Sequence, residues 1–332
     1  MKYINIILGF IVILILIELL PYVITIIFPD LCYGCTTIGK FQQYLNITIY
    51  FNTITWFAYI LLLSYFIYLS ALLKNNIFKY FCIFICLFMI YLPTMPLINI
   101  ITIMLCNIYK NPPFIHKYYD IFPSSIKIEK NSSIIINEFK KYYKHKKTYC
   151  LRKTNPAFKI ENTNDKDNCW RALYLKKIGI IDTDMVKYFP NTTELIKDPQ
   201  IHNAFFSILD PGVEIPPHVG YYKGYLRYHM GVIIPNNDSG KTDDKAYIVC
   251  GGEKYIWENN KGIVFDDLYL HYVKNPTNQM RVVLYIDIIR HSKSNIVNKI
   301  NNIGMYLIEN SILFNTFLKN QHNQNKIENF NN

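Results

Sequence analysis

SILDPGVEIPPHVGYYKGYLRYHMGVIIP, residues 207–235, and WENNKGIVFDDLYLHYVKNPTNQMRVVLYIDIIR, residues 257–290, are two largely apolar stretches separated by a polar break. Before the closing Arg290 they carry three histidines, His218, His229 and His271, and two arginines, Arg227 and Arg281. His218 stands 9 positions before Arg227 and 11 before His229, and His271 stands 10 before Arg281. The polar groups therefore recur at strand-to-strand distances rather than helical ones, which is the layout of a metal site inside a β-barrel. Neutral imidazole is the commonest protein ligand for a divalent metal, and it suits Fe(II), zinc and copper alike. A guanidinium set among Val282, Val283, Leu284 and Ile286 adds a second requirement, because its burial is costly unless a carboxylate or phosphate meets it. A single histidine on such a strand is ordinarily just packed or half-exposed, so spacing and company carry the reading.

HVGYYKGYLRYH at 218–229, FDDLYLH at 265–271 and RVVLYID at 281–287 resemble the three core motifs of the aspartyl/asparaginyl β-hydroxylase family. These are Fe(II)- and 2-oxoglutarate-dependent dioxygenases, and the resemblance runs from Trp170 to Arg290. It implies a mainly β fold, a jelly-roll or cupin-like double-stranded β-helix with flanking helices. His218 and His271 match the two iron ligands, and Arg281 matches the residue that pairs with the distal carboxylate of 2-oxoglutarate, with Ser207 helping to hold it. Arg227 and His229 match a pair lining the cosubstrate site, and Trp170 matches a tryptophan near the pocket mouth. Many related dioxygenases place a third, carboxylate ligand where this chain has Gly220. The family it resembles also has glycine there, so metal retention is expected to depend on the cosubstrate. Asp267, four residues before His271, is read as orienting a water on the metal; with Asp266 it also has the composition of a simple turn.

The activity implied is hydroxylation of an aspartyl or asparaginyl side chain of a protein, coupled to conversion of 2-oxoglutarate to succinate and carbon dioxide, with ascorbate as reductant. Some bacterial members hydroxylate the acyl chains of lipid A. RHSKSNIVNKIN at 290–301 resembles their continuation more than the histidine-proline ending of the animal enzymes, so a lipid acyl-chain hydroxylase is the alternative. A third reading is an inactive membrane-tethered scaffold, against which the intact His218, His271 and Arg281 weigh.

Three apolar runs precede this region: Ile4–Phe28 with Glu18 its only charge, Ile47–Leu73, and Tyr80–Ile108. Each exceeds the roughly 20 residues needed to cross a bilayer, and the first is longer than a signal-peptide core. They predict an α-helical transmembrane region and a multi-pass membrane protein, with Pro93 and Pro96 breaking the third run. Lys74 and Lys79 favour one orientation by the positive-inside rule, and Lys110, Lys117 and Lys127 favour the other. The expected organisation is an anchor at 1–110, a linker and helical lead-in at 111–167, the dioxygenase domain at 168–290, and a helical extension with an Asn-rich tail at 291–332.

A net charge of +11 raises the question of nucleic acid. The lysines are scattered, however, and no recognition motif accompanies them, so no nucleic-acid partner is expected. The expected partners are a membrane and a protein or lipid substrate. Of the eight cysteines, Cys32 and Cys35 form a lone CxxC that reads as a disulfide or as two idle thiols, with too few neighbouring ligands for zinc. Cys82, Cys86 and Cys106 read as small buried residues of the apolar runs. Cys150, Cys169 and Cys250 are an odd set that predicts no disulfide framework.

Overall fold

The computed structural model describes residues 31–36, 96–144, 148, 150, 151 and 168–310 apart from 238, with isolated residues elsewhere. Its centre is eight strands: β4 (Ile201–Leu209), β5 (Val213–His218), β6 (Tyr225–Ile233), β7 (Tyr247–Cys250), β8 (Glu253–Ile256), β9 (Gly262–Phe265), β10 (His271–Asn275) and β11 (Arg281–Ile289). Three short or peripheral strands precede them, β1 (Phe114–Ile115), β2 (Trp170–Lys177) and β3 (Ile180–Ile181). The larger sheet has the order β1-β9-β6-β11-β4-β2-β3 and the smaller β5-β10-β7-β8, with antiparallel pairing between neighbours. From β4 onward the chain crosses repeatedly between the two sheets, and this is the strand order of a double-stranded β-helix.

Strands β4 and β11 sit at the middle of the larger sheet, and their sequences are apolar almost throughout because both faces are covered. On the outer face Phe206, Ile208, Val282, Leu284, Ile286 and Ile288 pack against Ile128, Ile135, Phe139 and Phe189. Three of these partners belong to helices α2 (Ser124–Lys130) and α3 (Ser132–Tyr143). Ile135, Phe139 and Tyr142 recur at helical spacing on the buried side of α3. Each such side chain contributes roughly 1.5–3 kcal/mol when fully buried. The helices α4 (Thr183–Val186) and α5 (Pro190–Leu195) close the same layer. The Glu138 carboxylate of α3 accepts from the Asn191 and Thr192 amides, both at 2.9 Å, and so caps α5 from a neighbouring helix. On the inner face Leu209, Ile263, Phe265 and Val283 of the larger sheet meet Val213 and Ile215 of the smaller in a second core. Gly251 and Gly252, at φ +56° and +80°, make the tight β7–β8 turn, which needs left-handed backbone at both positions.

The third apolar run departs from its sequence reading. Its described part is the helix α1 (Pro96–Ile108), 13 residues long, which spans about 20 Å against the roughly 30 Å of a bilayer core. Ile98, Ile101 and Leu105 of α1 pack with Tyr222, Tyr225 and the helix α6 (Asn295–Glu309), through Met305 and Ile308. Among the described residues no helix is long and apolar enough to cross a membrane. The multi-pass membrane placement is therefore withdrawn. The runs Ile4–Phe28 and Ile47–Leu73, and the part of the third before Pro96, lie almost entirely outside the described residues. So does the tail beyond Asn310.

The cysteine arithmetic also needs correcting. Cys150 and Cys169 form a disulfide at the start of β2, while Cys250 is a buried free thiol. An odd count hid the pair because the third member is sequestered beneath the Asp266 turn, where its thiol donates to the Asp266 carbonyl at 3.4 Å.

Candidate metal and carboxylate site

The site lies on the inner faces of the two sheets. His218 ends β5, His271 begins β10, and the two are directly paired across that ladder, with ring centroids 4.1 Å apart. His218 Nδ1 lies 2.8 Å from the Pro216 carbonyl and His271 Nδ1 3.0 Å from the Tyr269 carbonyl. A carbonyl only accepts, so both Nδ1 atoms carry the proton, and both Nε2 lone pairs are left for a ligand. Burial pushes His271 down to about 4, and burial with the neighbouring His271 ring pushes His218 down to about 3. Both rings are thus neutral at ordinary pH, as metal ligation requires.

Gly220, two residues after His218, explains its own identity. A Cβ there would stand 2.0 Å from Asp267 Oδ2 and 2.5 Å from Oδ1, so the Asp267 carboxylate fills the space a third ligand's side chain would need. The Gly220 amide donates to the Asp267 carbonyl at 2.6 Å. Arg227 Nε donates to Asp267 Oδ2 at 2.9 Å, and Arg227 Nη1 pairs with Asp287. Burial opposes the Arg227 charge, but these two carboxylates outweigh it and hold the guanidinium protonated. Asp267 Oδ1 is buried without a hydrogen-bond partner.

The next turn residue, Asp266, is fully buried. It accepts from Arg290 Nη2 at 2.7 Å, pairs with Lys223 Nζ, and accepts the Leu268 amide at 3.2 Å. Burial raises its carboxyl, yet Arg290 and Lys223 prevail and hold it below the usual range. The two aspartates therefore do more than close a turn: Asp266 anchors it and Asp267 presents an oxygen from it.

Arg281, Val283, Tyr285 and Asp287 share the inward face of β11, opposite Ser207 of β4 and His229 and Arg227 of β6. Arg281 is 1% exposed. Its Nη1 donates to the Ser207 carbonyl at 3.1 Å and Oγ at 3.4 Å, while its Nε has no partner. Among the described residues no carboxylate joins it, and burial pulls its pKa down to about 9. Its guanidinium carbon lies 4.8 Å from the Trp257 ring centroid. Trp170 Nε1 donates to Ser207 Oγ at 3.0 Å. His229 lies 4.8 Å from the Phe265 ring and 6.1 Å from Trp257, and among the described residues neither of its ring nitrogens nor Trp257 Nε1 finds a partner.

The structure thus brings His218, His271 and Asp267 into one group and Arg281, Ser207, Trp170 and His229 into an adjacent one. Arg227 joins the first through its carboxylate pair rather than lying beside Arg281. Both groups suit the implied metal and cosubstrate. Two neutral imidazoles present Nε2, a buried carboxylate oxygen beside them is unpartnered among the described residues, and a buried guanidinium meets neutral acceptor oxygens with no anion among those residues. Trp257, Asp287, Lys223 and Asp266 are site residues that sequence reasoning missed. Trp257 had a signal, since it opens the second motif stretch. The others did not, since a charged residue in a strand, as Asp287 is, or in a loop, as Lys223 and Asp266 are, ordinarily reads as solvent-facing.

A model of the aspartyl/asparaginyl β-hydroxylase family matches residues 129–291. The chain is 34% identical over 192 residues to an ornithine lipid ester-linked acyl 2-hydroxylase of Rhizobium tropici, covering 55% of this chain and 63% of that protein. It is 28% identical over 134 residues to human aspartyl/asparaginyl beta-hydroxylase, covering 39% of this chain and 17% of that protein. The matched stretch is therefore less than two thirds of either relative's length. A Pseudomonas putida prolyl-4-hydroxylase structure aligns with 48% of this chain and 100% of its own at 10% identity, but a TM-score of 0.28 carries no argument.

Proposed function

We propose, from the match of residues 129–291 to a model of the aspartyl/asparaginyl β-hydroxylase family, that this chain is an Fe(II)- and 2-oxoglutarate-dependent hydroxylase. The observation that carries the reading is the juxtaposition just described: paired neutral histidines next to a buried arginine that has no anion. His218 and His271 would hold the metal through Nε2. When bound, Fe(II) with 2-oxoglutarate and dioxygen supplies the oxidising power for a C–H bond, with succinate and carbon dioxide as coproducts. The chain's own residues do the positioning. Arg281 neutralises the distal carboxylate of the cosubstrate, with Ser207 and Trp170 completing its hydrogen bonds. Asp267, fixed by Arg227, supplies a carboxylate oxygen beside the histidines in place of a third ligand at Gly220. Trp257, Phe265 and Tyr285 wall the pocket and exclude water.

Two substrate classes divide the relatives. The match to the lipid acyl 2-hydroxylase is both longer and more identical than that to the human protein-named enzyme. This favours an acyl chain over an aspartyl or asparaginyl side chain, the reverse of the first sequence expectation. The test is succinate release from 2-oxoglutarate by the full chain with Fe(II), with and without acyl lipids or peptides, against His271→Ala. Turnover that is lost in the variant and stimulated by acyl lipid supports the reading. Stimulation by peptide alone restores the protein-substrate reading, and failure of the wild type to release succinate while it binds metal overturns the hydroxylase assignment.

A further inference from the structure

Outside the hydroxylase site, a second cluster of reactive side chains is assembled from distant parts of the chain. Cys32 precedes and Cys35 ends a 3-10 turn at Tyr33–Cys35, and Cys106 lies near the end of α1. Their three sulfurs lie within 4.8 Å of one another, and all three residues are half-buried. The Cys35 Cα lies 5.3 Å from that of Cys32 and 5.9 Å from that of Cys106, and each separation is one that a disulfide spans. A sulfur makes one disulfide at a time, so the cluster can hold one disulfide and one thiol in either of two arrangements. A closed structural zinc site takes four ligands, and among the described residues no fourth histidine, cysteine or carboxylate joins these three.

We propose that Cys32, Cys35 and Cys106 form a thiol–disulfide exchange centre in which one disulfide moves between Cys32–Cys35 and Cys35–Cys106. The Cys106 thiolate attacks the Cys35 sulfur. The Cys35–Cys106 bond forms as the Cys32–Cys35 bond breaks, and Cys32 leaves as a thiolate that takes up the proton Cys106 gave up. The step consumes neither oxidant nor reductant, and its reverse is the same chemistry. The first disulfide comes from an external disulfide donor, the class of reagent that also accounts for Cys150–Cys169.

The placement gives the exchange a mechanical meaning. The Gly34 amide donates to the Leu268 carbonyl at 2.7 Å, within the turn that Asp266 anchors and from which Asp267 projects. In one arrangement the 31–36 segment is tied to α1 through Cys106. In the other it is closed on itself and leaves Cys106 as a thiol half-open to solvent.

The test traps the full chain at low pH without reductant, alkylates free thiols with N-ethylmaleimide, and maps linked peptides by mass spectrometry. The wild type should yield both Cys32–Cys35 and Cys35–Cys106 peptides, with the label on Cys106 in the first population and on Cys32 in the second. Cys106→Ser should yield only Cys32–Cys35, Cys32→Ser only Cys35–Cys106, and Cys35→Ser neither. The Cys150–Cys169 peptide in the same digest reports that each variant has folded. A single linkage in the wild type with its third cysteine fully labelled would overturn the proposal, as would three labelled cysteines accompanied by stoichiometric zinc.

Discussion

Arg281 is surrounded by groups that can orient it but not neutralise it, so its replacement isolates the role assigned to it. Hydrogen bonds to a charged group contribute about 1.5–3 kcal/mol, so Arg281→Gln should raise the KM for 2-oxoglutarate roughly ten- to hundredfold, measured as succinate release against cosubstrate concentration. Arg281→Lys keeps the charge but loses the planar fork and should fall between. A KM unchanged in both variants removes the residue from cosubstrate binding. Gly220 makes the complementary case, because its side chain is excluded by the Asp267 carboxylate 2.0 Å from where Cβ would be. Gly220→Ala should cost about 1–3 kcal/mol in thermal or denaturant unfolding and weaken metal binding. Most of the stability loss should vanish in an Asp267→Ala background, where the two substitutions must couple; additive losses would place the clash elsewhere. His218, His271 and Arg281 were legible as candidates because they interrupt apolar alternation with polar groups. Asp287 and Lys223 were not, since what distinguishes them is a buried partner that topology alone brings near.

At the scale of elements, β2 is held at its start by Cys150–Cys169, which closes a loop of 19 residues immediately before Trp170. Constraining a loop of that size contributes about 3 kcal/mol on the chain-entropy account. Reductant should therefore lower the unfolding midpoint of the wild type, and a Cys150→Ser/Cys169→Ser protein should start lower and respond much less to reductant. If the double variant still shifts by the full amount, the stabilising bridge is a different one. The helix α1 shows why apolarity misleads at this scale. Its inward residues meet α6 and Tyr222, while Leu97, Ile100 and Met104 on its other side are exposed. A helix apolar all round reads as a membrane span from sequence, whereas the described part of α1 has protein partners along one side.

For the molecule as a whole, the buried histidines set the response to acid. Burial holds His202 and His271 near about 4, below the ordinary value of about 6.5. The unfolded chain therefore binds protons that the folded one refuses as pH falls from about 6.5 towards 4. Stability is full above that window and falls within it by on the order of 1.4 kcal/mol per pH unit for each such histidine. The unfolding midpoint should drop between pH 7 and 5, and His202→Gln should make the slope shallower; an unchanged slope would exclude His202 as a contributor. A β-barrel was legible from the strand-to-strand spacing and its jelly-roll form from the family resemblance of the motifs, whereas the cysteine pairings were not, because they depend on which distant segments the fold lays side by side. The crossing of the chain from sheet to sheet also bears on its biosynthesis. His218 and His271 meet across β5 and β10, and Arg281 opens the last strand, β11, which inserts between β4 and β6. Such long-range pairings form slowly. A nascent chain still short of β11 lacks Arg281 and the strand that joins β4 to β6, so on the proposed function the site would be assembled only once β11 has been made.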